Sequence, residues 1–348
     1  MTAATLVVGP AWVGDMVMAQ SLFKRLKAAD PLAAVDVVAP PWSAPLLARM
    51  PEVRRAWPLA VAHGELALAR RRQLGLALRD HYSWAIVLPR SLKAALVPAV
   101  AAIPRRTGYW GEGRFKLLTD PRFLDRRLAT TVQRFVALAE PPGTWPPPAA
   151  PHPRLMADPH HARATAEALG LALEQPVVVL GPGAEYGPAK RWPGEHFATL
   201  ATRLAADGYG VWLLGSARDR PLASAIAAAV EGRKPRRGGD TGLVDLTGRT
   251  TLPQALDLLS LAAAVVCNDS GLMHLAAALE RPVVALYGPS DPGHTPPLSD
   301  RAQTVALDLP CRPCHRRRCP LGHQRCLQGL LPDHVARHLA LALAHHTP

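Results

Sequence analysis

The sequence predicts an α/β protein of two Rossmann-like, doubly wound domains that face each other across a cleft. Three observations predict it. Short segments that are apolar throughout, at 6–9, 84–88, 176–180, 262–267 and 283–287, alternate with longer stretches of helical period. Strands of that kind belong to parallel sheets covered by helices on both faces. The alternation runs twice, once on each side of a segment holding seven prolines between Pro141 and Pro153, which reads as a stiff extended linker. At 348 residues the chain is long for one core and suited to two.

In order, the first strand at 6–9 breaks at Gly9-Pro10, and Ala11-Trp12-Val13-Gly14-Asp15 leads into a helix over 16–29. A strand at 35–39, a short helix from Pro45, a helix over 65–79, the strand at 84–88 and another at 106–109 complete the first half. The second half begins with the strand at 176–180. It continues with a helix at 195–206, a strand at 210–214 and a helix at 220–230, and reaches the strand–helix–strand unit of 262–287. A last helix, 333–345, is expected to return to the first domain. The expected divisions are thus 1–153, 154–330 and a C-terminal helix in 331–348.

Charge is distributed unevenly. The formal net charge is +13, and residues 1–150 hold 20 Lys and Arg against 10 Asp and Glu. A basic first half implies an anionic partner: nucleic acid, a membrane surface or a phosphorylated substrate. The longest uncharged apolar run, 94–104, is interrupted by proline and falls short of the roughly 20 residues a spanning helix needs. No Lys or Arg precedes the apolar N-terminus and Asp15 follows soon after, which argues against a signal peptide. A cytoplasmic protein that meets membranes only from the surface is expected.

The stretch from Asn268 to Leu279 is the crossover helix of the 262–287 unit. Asp269 and Ser270 are N-cap residues by type, Gly271 lets a ligand approach the backbone, and no bulky side chain covers the first turn. Unpaired amides and a partial positive charge at such a helix start suit a phosphate. His274 lies one turn on from Ser270, on the same face. An ordinary capped helix with a solvent-facing histidine is the alternative.

The loop from Gly181 to Pro193 carries three glycines and three prolines and ends in Lys190-Arg191 just before a helix. Its spacing fits neither a Walker A nor a dinucleotide pattern. Lys190 is either half of a solvated basic pair or a ligand of a diphosphate shared with the helix after Ser270. Asp219, after the next strand, is a ribose partner or a plain N-cap. Tyr287-Gly288-Pro289-Ser290 and Thr295-Pro296-Pro297 follow a later strand and can close a nucleotide pocket. In the first half, Gly14-Asp15 lacks G-x-G-x-x-G spacing. Asp15 is an N-cap, or a carboxylate kept ionised by the helix end and able to accept a proton late in a reaction.

Four of the five cysteines follow a C-x2-C-x4-C-x6-C spacing, Cys311, Cys314, Cys319 and Cys326, among Arg312, Arg316, Arg317, Arg318 and Arg325. In a cytoplasmic protein this suggests a structural zinc knuckle ahead of disulfides. A basic patch near a membrane is the other reading. Four thiolates make a closed site, so a catalytic metal is not expected.

Three motifs together resemble the lipopolysaccharide heptosyltransferases of glycosyltransferase family 9, which have the GT-B fold. They are the 9–22 stretch (Gly9-Pro10-Ala11-Trp12-Val13-Gly14-Asp15 and onward), the Gly187-Pro188-Ala189-Lys190-Arg191-Trp192-Pro193 loop, and Asn268 to Leu279 with Tyr287-Gly288-Pro289-Ser290. The first is similar to that of the type II branch, and the likeness runs over nearly the whole chain. It implies inverting, metal-independent transfer of L-glycero-D-manno-heptose from ADP-heptose to the first heptose of the Kdo–lipid A inner core. It further implies Asp15 as the base, Lys190 on the phosphates, and Asp269, Ser270, Gly271 and His274 as the donor motif, with Asp219 on the ribose. One base suffices there, because the leaving group is a diphosphate rather than an alcohol that must be protonated. The basic first half then fits an acceptor rich in phosphate and carboxylate, with Arg71, Arg72, Arg90 and Lys93 as contacts. The cysteine cluster is not part of the resemblance.

Two other classes compete. Another sugar-nucleotide transferase or an epimerase shares the fold, and donor competition separates them. A basic nucleic-acid-binding protein would share the charge, but the Lys and Arg of the first half are not interleaved with aromatics to stack on bases. No nucleic-acid partner is expected.

Overall fold

The computed structural model describes residues 4–62, 64–233 and 242–344. The chain divides into two units, Met1–Met156 and Ala157–Pro348. The first contains β1 (Ala4–Val8), α1 (Val13–Ala29), β2 (Ala34–Ala39), α2 (Ala44–Leu47), β3 (Val53–Pro58) and α3 (Leu68–Ala77). It continues with β4 (Trp84–Val87), α4 (Leu96–Val100), β5 (Arg105–Tyr109), β6 (Asp120–Arg122) and α5 (Thr131–Ala137). All six strands are parallel in the order β3-β2-β1-β4-β5-β6. The central strands are the ones whose apolar sequence predicts them. The edges β3 and β6, Val-Arg-Arg-Ala-Trp-Pro and Asp-Pro-Arg, are polar and proline-bearing, as unpaired edges tend to be.

The second unit contains α6 (Pro159–Ala168), β7 (Val177–Gly181), α7 (Gly194–Ala206), β8 (Gly210–Leu213), α8 (Arg220–Glu231), β9 (Leu243–Asp245) and α9 (Leu252–Ser260). There follow β10 (Ala264–Asn268), α10 (Gly271–Ala278), β11 (Val283–Tyr287), β12 (Ala302–Ala306), α11 (Arg325–Gln328) and α12 (Pro332–Ala344). Its parallel sheet runs β12-β11-β10-β7-β8-β9. Each unit's sheet therefore has the same winding. The strand order reverses between β1 and β4 in one, and between β7 and β10 in the other. A reversal of this kind opens a crevice at the carboxyl ends of the two strands, where doubly wound folds bind ligands.

Two expectations about the boundaries change. The proline-rich segment is fastened to the first unit rather than free. Ser21 Oγ donates to Pro151 O (2.6 Å), and the Gln20 amide exchanges hydrogen bonds with the Arg154 backbone at 2.7 and 2.9 Å. The division consequently falls after Met156 instead of Pro153. The last helix, expected to return to the first domain, packs within the second unit. α12 rests on α7 and on β10, β11 and β12, with Val335, Leu339 and Ala342 inside that unit's core. Its apolar face matches that core, each fully buried large aliphatic side chain contributing about 1.5–3 kcal/mol. The expected terminal residue of this helix, His345, lies outside the described residues.

Candidate functional site

The reversal between β7 and β10 brings together the loop after β7 and the start of α10. Lys190, in a 3-10 turn over Pro188–Lys190, places its Nζ 2.5 Å from Asp269 Oδ2. Ser290 Oγ donates to the same carboxylate oxygen from the loop after β11. Three loops that are far apart in sequence thus meet on one acid. The ammonium also lies 5.0 Å from the centre of the Tyr186 ring, within cation–π range. Ser270 is the N-cap of α10 in extended backbone geometry and makes no side-chain cap bond. Ser270 and Gly271 are only partly buried, so the start of this helix is open to solvent, one residue on from the Asp269 that Lys190 meets.

Beneath this surface the loops are tied by groups that the sequence reading did not single out. The buried Asn268 accepts from Trp192 N at 3.0 Å and donates to Pro182 O at 2.8 Å, locking both ends of the 182–192 loop to the end of β10. The buried Trp192 donates its indole N–H to Leu330 O at 2.7 Å. An asparagine closing an otherwise apolar strand is the sequence signal for such a tie.

His274 is buried, not solvent-facing. Burial drives its imidazole down to about 4, against an opposing pull from Asp269, so the ring is neutral near pH 7. The signal was available: Gly-Leu-Met-His-Leu-Ala-Ala-Ala is apolar on every side, as a fully enclosed helix is. Asp219 acts as a capping residue. Its Oδ2 accepts from Ser216 N (3.0 Å) and Ser216 Oγ (2.8 Å), and Arg191 approaches Oδ1 at 3.8 Å. Gly183 leaves it room, since a Cβ there would stand 2.5 Å from its carboxyl carbon.

In the first unit the reversal lies between β1 and β4. α1 starts at Val13 with Trp12 as N-cap, so Asp15 occupies the first turn rather than the cap position, half-exposed at the carboxyl end of β1. Arg90 and Lys93 follow the neighbouring β4, and Arg90 is exposed. Arg72, on α3, is exposed as well. Arg71 differs: it is buried, donating to Leu66 O (2.7 Å) and Lys93 O (3.2 Å). It thus supports the Lys93 turn from below. A cue lay in its spacing to Gly75, four residues on and also buried, on the face that packs against α4.

Cys311, Cys314, Cys319 and Cys326 are unbridged and line one cavity of about 20 Å³ with Ala189 and Pro289. Among the described residues no three His, Cys, Asp or Glu side chains already stand at the separations a metal imposes. No helix among them is long and apolar enough to cross a membrane.

Residues 71–324 match the family model for glycosyltransferase family 9 (heptosyltransferase). The chain belongs to glycosyltransferase family 9. That makes it a glycosyltransferase, and its two sheets are those of the GT-B type. As a family 9 member it is 44% identical over 342 residues to lipopolysaccharide heptosyltransferase 2 of Escherichia coli strain K12, covering 96% of this chain and 97% of that one. It is 45% identical over 311 residues to the lipooligosaccharide heptosyltransferase 2 of Haemophilus influenzae, covering 87% and 88%. Among solved structures, that of the E. coli ADP-heptose LPS heptosyltransferase II superimposes with a TM-score of 0.87 at 42% identity, covering 99% of each chain. The matched family region contains Lys190, Asp219 and the whole Asn268–His274 motif, whereas Asp15 precedes it.

Proposed function

We propose that this family 9 enzyme transfers L-glycero-D-manno-heptose from ADP-heptose, with inversion, to the first heptose of the Kdo–lipid A inner core. The observation that carries the assignment is the convergence of Lys190, Asp269 and Ser290 at the partly exposed start of α10. Such a start offers backbone amides and a fixed cation to a diphosphate. Lys190 has three ammonium donors and gives one to Asp269, leaving two for phosphate oxygens. As the sugar–diphosphate bond breaks, the negative charge developing on ADP is met by groups already in place, with little reorganisation. Asp15, in the first turn of α1, serves as base for the acceptor hydroxyl. Because proton loss comes late as the sugar–oxygen bond forms, a weak base suffices. Neutral His274 is buried next to the donor loop and adds no charge there. Arg72, Arg90 and Lys93 receive the acid groups of the acceptor, with Arg71 bracing the Lys93 turn.

The acceptor is borne on lipid, so the enzyme works by peripheral contact at the cytoplasmic face of the inner membrane. Trp110, Phe115 and Phe123 support this: they stack with centroids 5.6 and 5.8 Å apart, and Phe123 is 81% exposed. They follow the carboxyl ends of β5 and β6, with Lys116, Arg126 and Arg127 exposed in the same segments. Aromatic and basic side chains together suit an anionic bilayer surface.

The test is transfer by the purified full-length chain from ADP-heptose to Kdo–lipid A already carrying one heptose. The expected product is heavier by one heptose, and ADP competes with the donor. Preference for a UDP- or GDP-sugar, or equal use of an acceptor without the first heptose, would overturn the assignment. Flotation with anionic vesicles, reduced in Phe123→Ser, checks the membrane contact.

A further inference from the structure

We propose that Cys311, Cys314, Cys319 and Cys326 bind one thiophilic divalent cation of the zinc class, and that this knuckle clasps the loops carrying Lys190 and Ser290. The four thiols come from a stretch with little regular structure, yet they line a single cavity of about 20 Å³. That space is close to the size of one small sphere, and no second ligand class is needed to complete a tetrahedron. Cys319 Sγ already accepts a hydrogen bond from Gln324 N at 3.4 Å. Amide donors around a sulfur are the outer support that thiolate ligands of metals use. Four thiolates on a divalent cation carry a net double negative charge. Arg312 lines the same cavity, and Arg316, Arg317, Arg318 and Arg325 lie in the same stretch. No three of the four sulfurs are grouped as a bound ion would group them, so binding requires side-chain rotations that bring each to about 2.3 Å from the ion.

What the knuckle would hold in place is specific. Arg317 O accepts from Ala189 N (3.1 Å), His315 O accepts from Tyr186 O–H (2.7 Å), and Gln324 Nε2 donates to Pro188 O (2.8 Å). On the other side His315 N donates to Pro289 O (2.8 Å), and the Arg312 guanidinium donates to Gly288 O and Ser290 O. The segment therefore grips both loops from which Lys190 and Ser290 reach Asp269. A four-thiolate ion has no open position, so its part is to hold the backbone and not to react.

The experiment measures zinc in the full-length protein, purified under reducing conditions and dialysed, by elemental analysis, alongside cobalt(II) substitution. One equivalent per chain and a thiolate-to-cobalt charge-transfer band are expected. Both should be lost in Cys314→Ser and kept in Cys267→Ala, whose thiol is buried in β10 outside the cluster. If Cys314→Ser does not fold, chelation of the wild-type protein serves instead: Tm should fall and recover with added zinc. Substoichiometric metal in folded wild-type protein, two disulfides in its place, or zinc retained by Cys314→Ser would overturn the site. The clasp rests in addition on the donor-site reading. Zinc removal should weaken ADP binding severalfold, and unchanged ADP affinity would overturn the clasp. Zinc-loaded protein that binds no ADP at all would instead count against the donor site itself.

Discussion

Lys190 Nζ lies 2.5 Å from Asp269 Oδ2, with the lysine side chain 16% exposed and the carboxylate 5% exposed. The acid therefore holds the lysine ammonium in place. Asp269→Asn preserves the shape but removes the charge that aims Lys190. It is expected to reduce kcat/KM by roughly ten- to hundredfold, about 1.4–2.7 kcal/mol, mostly through weaker donor binding. Isothermal titration with ADP checks this. Lys190→Ala should raise the ADP Kd and lower kcat together, and unchanged affinity there would remove the diphosphate role.

Asp15→Asn keeps the first turn of α1 and removes the carboxylate proposed as the base. ADP binding should be unchanged while kcat falls on the order of 10²–10⁴-fold, the usual worth of general base catalysis. Full turnover in this variant would take the base assignment away from Asp15.

The buried His274 gives a pH dependence of known sign. Its imidazole is held down to about 4 in the folded chain, against roughly 6.5 when unfolded. Folding stability is thus fully present above about pH 6.5 and is lost as pH falls toward 4, because the unfolded chain takes up the proton first. The loss is on the order of 3 kcal/mol. Urea denaturation at pH 7 and pH 4.5 should show a smaller decline for His274→Gln, whose amide does not titrate.

Asn268→Ala leaves Trp192 N–H and Pro182 O without their partner. Stranding buried backbone groups costs about 1–3 kcal/mol, so a lower urea midpoint is expected. The 182–192 loop should also exchange its amide protons faster, and the ADP Kd should rise.

The sheet centres were legible because β1, β2, β4, β7, β10 and β11 are apolar apart from Thr5, Asp36 and Asn268. The edges were not. β3, with Arg54 and Arg55, and β6, Asp-Pro-Arg, are only half covered, so polarity masks the extended backbone. Lys190 and Asp269 were legible as separate residues at helix starts, while their contact, spanning 79 positions, needs the β7–β10 adjacency to become visible. Arg71 and His274 looked like surface groups by residue type. Only the packing of α3 on α4, and of α10 on β10, β11 and α9, shows them enclosed.

The anchoring of α12 bears on how the gene should be handled. A stop codon placed just after Leu330 would bare Val284, Leu286 and Val305 to water and loosen the carbonyl that receives the Trp192 indole. Inactivity of such a fragment would report a damaged scaffold and carry no information about turnover. Affinity tags belong beyond the final helix, and nested deletions from the 3′ end should stop short of Ala342.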